Sequence, residues 1–129
     1  MGDQRHPEQD ESAREWLFTY GILRDPATLR ALLGHVPPGG EAAQVVGYAR
    51  HVSYAGYYYL VPAASGEPVP GVLWRVTADE LLVLDVVEDV DPADPASAAG
   101  EYRRVRGTAQ AVDGPVDCWL YLGAALAAS

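Results

Sequence analysis

Phe18-Thr19-Tyr20-Gly21-Ile22-Leu23 is an apolar stretch that runs into a Tyr-Gly turn just after an acidic N-terminal segment. Residues 16–20 are expected to form a strand, because aromatic and aliphatic side chains of this kind suit a pleated, half-buried surface. Gly21 permits a tight turn there. Asp25-Pro26 then places an N-cap and a first-turn proline ahead of a short helix over 27–33, which Gly34 ends. Upstream, residues 1–14 are polar, acidic and without periodicity, so they are expected to be a disordered leader, with a single domain over 15–129.

Downstream of the Pro37-Pro38-Gly39-Gly40 loop, 42–54 and 57–61 are rich in tyrosine and valine and are predicted as strands, turned at Ala55-Gly56 as a hairpin. Ser65-Gly66-Glu67-Pro68 is the next turn, and 69–76 the next strand. Thr77-Ala78-Asp79-Glu80 is a capping box, which starts a helix over about 78–88. Residues 89–101, with Pro92, Pro95 and Gly100, cannot continue that helix and should be a long loop, a type often used as a lid. Two last strands, 102–112 and 116–122, turn at Asp113-Gly114. Many short strands with two short helices imply an α+β fold: a small mixed, mostly antiparallel, barrel-like sheet.

Composition narrows the function. With 129 residues the chain is one domain, and a net charge of −9 with nine scattered arginines and no lysine argues against a nucleic-acid surface. Solvated strand faces account for the tightest cluster, Arg103, Arg104 and Arg106, since alternation puts Arg103 opposite the other two. Cys118, the single cysteine, excludes an internal disulfide and reads as an apolar filler in a strand. No apolar run approaches the ~20 residues that span a bilayer, and no signal peptide is visible, so no membrane is expected and a reducing cytoplasm is the default location. His6, His35 and His51 lack metal-ligand spacing, and no phosphate-cradling glycine motif or nucleophile elbow occurs. No metal and no cofactor are therefore expected.

Chemistry concentrates on the second helix. Asp85 and Glu88 are three residues apart and share a face, with Leu81 and Leu84 beside them and Leu82, Val83, Val86 and Val87 covering the rest. A helix this apolar is expected to be largely enclosed. Periodicity alone allows its carboxylates to line a solvent stripe or to open into a cleft, and slightly favours the stripe. Seven acidic residues and no basic ones lie between Asp79 and Asp94.

Three segments, Tyr20-Gly21-Ile22-Leu23, Leu84-Asp85-Val86-Val87-Glu88 and Tyr102-Arg103-Arg104, resemble in order and spacing the AIG2-like branch of the gamma-glutamylcyclotransferase family. Its members typically read Tyr-Gly-(Ser/Thr)-Leu, Leu-Asp-x-x-Glu and Tyr-x-Arg. The resemblance implies an enzyme acting on a small-molecule gamma-glutamyl amine or amide, with release of 5-oxoproline and a free amine. It implies that Glu88 is the general acid/base, lifted in pKa by partial burial and by nearby Asp85 and Asp89. Tyr20, Gly21, Ile22 and Leu23 would hold the substrate through backbone N–H groups, and Tyr102 would orient it. Ile22 departs from the family's Ser or Thr: a hydroxyl is lost while the amides remain.

Most other tyrosines, Tyr48, Tyr54, Tyr57, Tyr58, Tyr59 and Tyr121, read as sheet-packing residues, with Tyr121 in a terminal strand that also looks family-like. Two alternatives stay open beside the cyclotransferase. One is a same-scaffold enzyme for another proton-transfer or ring-closing step in small-molecule biosynthesis, acting on a less polar substrate. The other is a non-catalytic small-molecule or protein-binding module in which Glu88 is a solvated helix residue. The residues leave the oligomeric state and the identity of the amine open.

Overall fold

The computed structural model describes residues 14–52, 58–64, 66–91, 93–97 and 102–123. Outside them lie 1–13 of the leader expected over 1–14, the predicted hairpin tip at Ala55-Gly56, Ser65, Pro92, and 98–101 of the predicted loop. Among the described residues there are nine strands and helices, with a short 3₁₀ turn at Ile22–Arg24 between the first two: β1 (Glu15–Thr19), α1 (Pro26–Leu33), β2 (Gly39–Val45), β3 (Tyr48–Val52), β4 (Tyr58–Pro62), β5 (Val69–Val76), α2 (Ala78–Val87), β6 (Tyr102–Ala111) and β7 (Gly114–Gly123).

Five strands close into a barrel in the order β1-β5-β2-β6-β7, and β3 and β4 form a separate two-stranded ribbon. All pairings are antiparallel except one, a parallel contact of β1 with β7 through Leu17 and Trp119 that shuts the barrel. The fold class is thus the expected α+β barrel-like sheet with two short helices. One strand prediction needs correction: 42–54 is two strands, not one. Gly47, at φ 92, turns the chain between β2 and β3, so β2 stays in the barrel and β3 leaves it. The Gly47 carbonyl accepts the Ala63 N–H at 2.9 Å and fastens the base of the ribbon.

Alternation along each strand splits the apolar residues into two clusters. Phe18, Val45, Leu73, Cys118 and Leu120 pack together with Leu60 of the ribbon. Leu17, Trp74, Val76 and Tyr121 pack instead with Leu29 of α1 and Leu81 and Leu84 of α2. Helices do not fit inside a five-stranded barrel, so the first cluster is the barrel interior and the second the covered outer wall. Cys118 is the buried filler expected of it, its thiol pushed up to about 11 chiefly by burial. At Gly71 the wall is tight: a Cβ would stand 2.2 Å from the Thr19 carbonyl oxygen.

Local chemistry fixes both helices. Asp25 Oδ1 accepts the Ala27 N–H, Pro26 opens α1, and Gly34 closes it at φ 85. Thr77 Oγ1 accepts the Glu80 N–H at 3.1 Å while Glu80 Oε1 accepts the Thr77 N–H at 2.9 Å, the predicted capping box. Glu80 also meets Arg14 and His35, and these hydrogen bonds and charges outweigh burial and hold its carboxyl below the usual range. The expectation that α2 is enclosed fails: Leu82, Val83, Val86 and Val87 are exposed, and only one side, with Leu81, Leu84 and Asp85, is buried. Among the described residues no helix is long and apolar enough to cross a membrane.

Candidate active site

Glu88 stands at the last joint of α2. Its N–H still bonds the Leu84 carbonyl at 2.9 Å, but the chain then reverses: Asp89 takes φ 54, the Asp89 N–H donates to Val86 O at 3.1 Å and the Val90 N–H to Asp85 O at 2.9 Å. This is a Schellman C-cap with aspartate in the left-handed position that glycine usually fills, and buried Val90 supplies its apolar anchor. The reversal holds Glu88 at the wall of a cavity of about 970 Å³. The cavity brings together every residue singled out in the sequence, Tyr20, Gly21, Ile22, Leu23, Glu88 and Tyr102, and adds Tyr58, Val87 and Tyr121.

Burial raises the Glu88 carboxyl from 4.5 to about 7. Its place at the negative end of the α2 dipole acts in the same direction. Among the described residues it has no hydrogen-bond or ion-pair partner. The expected push from Asp85 and Asp89 is not its cause, because Asp85 is spoken for. Asp85 Oδ1 accepts from Arg104 Nε at 2.8 Å and from the Tyr121 hydroxyl at 2.7 Å, and Oδ2 accepts from Arg104 Nη2 at 2.9 Å. Asp85 is 3% exposed and Arg104 9% exposed. The Arg104 guanidinium also lies 4.4 Å above the Trp119 ring.

This bidentate pair is what the sequence reading missed, since solvation was expected to explain the arginine cluster. Arg106 fits that expectation, exposed and paired with Glu15 at 2.9 Å, but Arg104 does not. The signal was present: a carboxylate on the buried side of an apolar helix needs a cation, and the basic cluster of β6 was the nearest supply.

The 20–23 segment is held from behind. Arg50 Nη1 donates to the Tyr20 carbonyl at 3.3 Å and lies 4.6 Å over the Tyr58 ring. The Gly21 carbonyl accepts Arg24 N–H at 3.0 Å and Arg24 Nε at 3.2 Å, and the Ile22 carbonyl accepts the Asp25 N–H at 3.2 Å. No side chain caps this turn. Gly21 has φ −128, and a Cβ there would make only an ordinary 3.6 Å contact with Tyr58. Ile22, at the cavity mouth, is 62% exposed, while Leu23 is buried.

Two tyrosine hydroxyls tie the walls together. Tyr20 donates to the Tyr121 carbonyl, and Tyr102 donates to the Tyr58 carbonyl at 2.7 Å with its ring stacked on Tyr59 at 5.3 Å. Burial chiefly raises Tyr20 and Tyr121 far above the ordinary phenol range, so both are neutral donors and not bases. Of the described loop residues after α2, Asp89 lines the cavity, whereas Pro95 is fastened elsewhere by the Arg104 N–H at 2.7 Å.

The fold and site are thus those of a small closed barrel whose outer helix holds one near-neutral carboxylate at a cavity beside an arginine-braced backbone turn. The description "Gamma-glutamyl cyclotransferase, AIG2-like" matches residues 17–128, and the chain belongs to that family. It is 33% identical over 75 residues to AIG2-like protein D of Arabidopsis thaliana, covering 58% of this chain and 49% of that one, so the match spans about half of the relative's length. Among solved structures it is similar to an Arabidopsis thaliana protein studied in solution, with TM-score 0.70 and 26% identity over 86% of this chain and 69% of the other. An AIG2-like protein from Mus musculus has the same fold, with TM-score 0.67 and 22% identity over 84% of this chain and 76% of that one.

Proposed function

We propose that this protein converts a gamma-glutamyl amine or related amide into 5-oxoproline and a free amine, with Glu88 as the general acid/base. The observation that carries the reading is Glu88 itself: a carboxyl raised to about 7, without a competing partner among the described residues, in one cavity with the 20–23 turn. At neutral pH such a group is present in both forms, as a two-stroke proton carrier requires. As carboxylate, Glu88 takes a proton from the substrate's α-ammonium. The freed amine attacks the γ-carbonyl carbon, a C–N bond forms and the ring closes. As carboxylic acid, Glu88 returns that proton to the departing nitrogen and the original amide C–N bond breaks; the ring nitrogen gives up its second proton, which the released amine takes up as it leaves as an ammonium, so atoms and charge balance without a cofactor.

The turn suits the other half of the task. In a trans peptide the N–H points opposite to the C=O, and no peptide of the described chain is cis. With the carbonyls of Tyr20, Gly21 and Ile22 held by Arg50, Arg24 and Asp25, the N–H groups of Gly21, Ile22 and Leu23 face the other way. Three successive donors form a cradle for the substrate carboxylate or the developing oxyanion. Tyr102, anchored through its hydroxyl to the Tyr58 carbonyl, would orient the substrate. Folding the substrate into attack geometry supplies up to about 7–11 kcal/mol of the acceleration. A reducing cytoplasm suits a chain whose one thiol is buried.

The test is incubation of the protein and Glu88→Gln with a panel of gamma-glutamyl amines, with 5-oxoproline and amine measured by mass spectrometry. Equimolar products from the wild type and a loss of about 10²–10⁴-fold in the variant are expected. Equal rates for the two proteins would remove Glu88 from the chemistry, and no product from either would return the chain to a binding role.

A further inference from the structure

The mouth of the cavity carries two apolar side chains that the fold does not use. Ile22 is 62% exposed and Val87 44% exposed, yet both line the cavity. Several polar groups around them already have partners within the fold. Asp25 Oδ1 and Oδ2 accept from Ala27 and Thr28 at the start of α1, Arg24 Nε holds the Gly21 carbonyl, and Asp89 has a partner of its own. Ile22 and Val87 give the rim an apolar part beside these charged groups.

We propose that the released amine is apolar, an alkyl or aryl amine whose substituent packs against Ile22 and Val87. This rests on the cyclotransferase reading. The glutamyl half of such a substrate is constant and charged, and its partners are the donors of the 20–23 turn. The amine is the variable half. Its nitrogen has to reach Glu88 to be protonated, and Val87 lines the same cavity at its half-exposed mouth, where the group on that nitrogen can meet it. Ile22 stands where the family has Ser or Thr, which removes a hydroxyl that a polar amine could bind and adds apolar contact area. Burial of apolar surface on both partners favours the longer hydrocarbon.

The experiment is a series of gamma-glutamyl amides of methylamine, propylamine, pentylamine and 1,5-diaminopentane, with kcat/KM measured from 5-oxoproline formation. A rise of about two- to four-fold per methylene is expected, and the pentylamide should exceed its aminopentyl counterpart by about ten-fold or more. Ile22→Thr and Val87→Thr, both near in shape to the originals, should each lower the slope per methylene whatever their absolute rates. A flat series, or a preference for the aminopentyl amide drawn by the acidic rim, overturns the inference and leaves the cyclotransferase reading standing. No 5-oxoproline from any member overturns that reading, and the inference with it.

Discussion

Glu88 shows how one residue is tuned by where the chain puts it. Burial lifts its carboxyl from 4.5 to about 7, and that preference for the protonated form is also a statement about stability. The folded protein binds more protons than the unfolded chain between these values. The contribution of Glu88 is therefore fully present below about pH 4.5 and is lost as pH rises through about 7. Glu88→Gln carries no charge and escapes the loss. We expect urea unfolding to find the variant more stable than the wild type at pH 8 by about 1–3 kcal/mol, with the gap closing toward pH 5. The same ionisation should set the acid limb of wild-type kcat/KM near pH 7. A stability difference that is constant from pH 5 to 8 would mean that the carboxyl is not raised.

At the scale of the element, α2 was half legible. The capping box named its start, and the resemblance at Leu-Asp-x-x-Glu pointed to Glu88, which lies at the cavity wall. Its orientation was not legible, because apolar residues surround the helix and periodicity picks no face; the structure leaves Leu82, Val83 and Val86 in solvent. What orients α2 is the polar pair the sequence reading left unpaired. Asp85 and Arg104 join α2 to β6 with two hydrogen bonds, and Tyr121 adds a third from β7. Removing one partner strands a buried charge, so Asp85→Leu should cost about 3–5 kcal/mol in chemical denaturation. Arg104→Met added to Asp85→Leu should recover half or more of that loss, although it removes a further native hydrogen-bonding group. By contrast Val86→Lys, on the exposed side, should stay within about 0.5 kcal/mol. A double variant as unstable as the sum of its singles would deny the coupling.

Across the whole molecule, strand positions followed from local pattern, but strand partners did not. Leu17 and Trp119 close the barrel across most of the chain, and nothing local in either segment announces a parallel pairing. The single strand expected over 42–54 failed for a related reason, since Val46-Gly47 reads as strand until the barrel's need for a corner there is known. The closed barrel also explains why the site lies where it does. Its wall has two apolar faces, one filling the interior and one gripping the helices, and only the second touches the helix that carries Glu88. Stability and activity should therefore separate by face. Val45→Ala, in the interior, should cost about 1–3 kcal/mol and leave kcat/KM of the folded protein unchanged. Leu84→Ala, on the outer side, should cost about 2–5 kcal/mol and also lower kcat/KM, because its side chain seats α2, and with it Glu88, on the wall. Measuring kcat/KM well below the unfolding midpoint of each variant isolates the second effect. A Leu84→Ala protein with full activity would show that packing beneath α2 does not position Glu88.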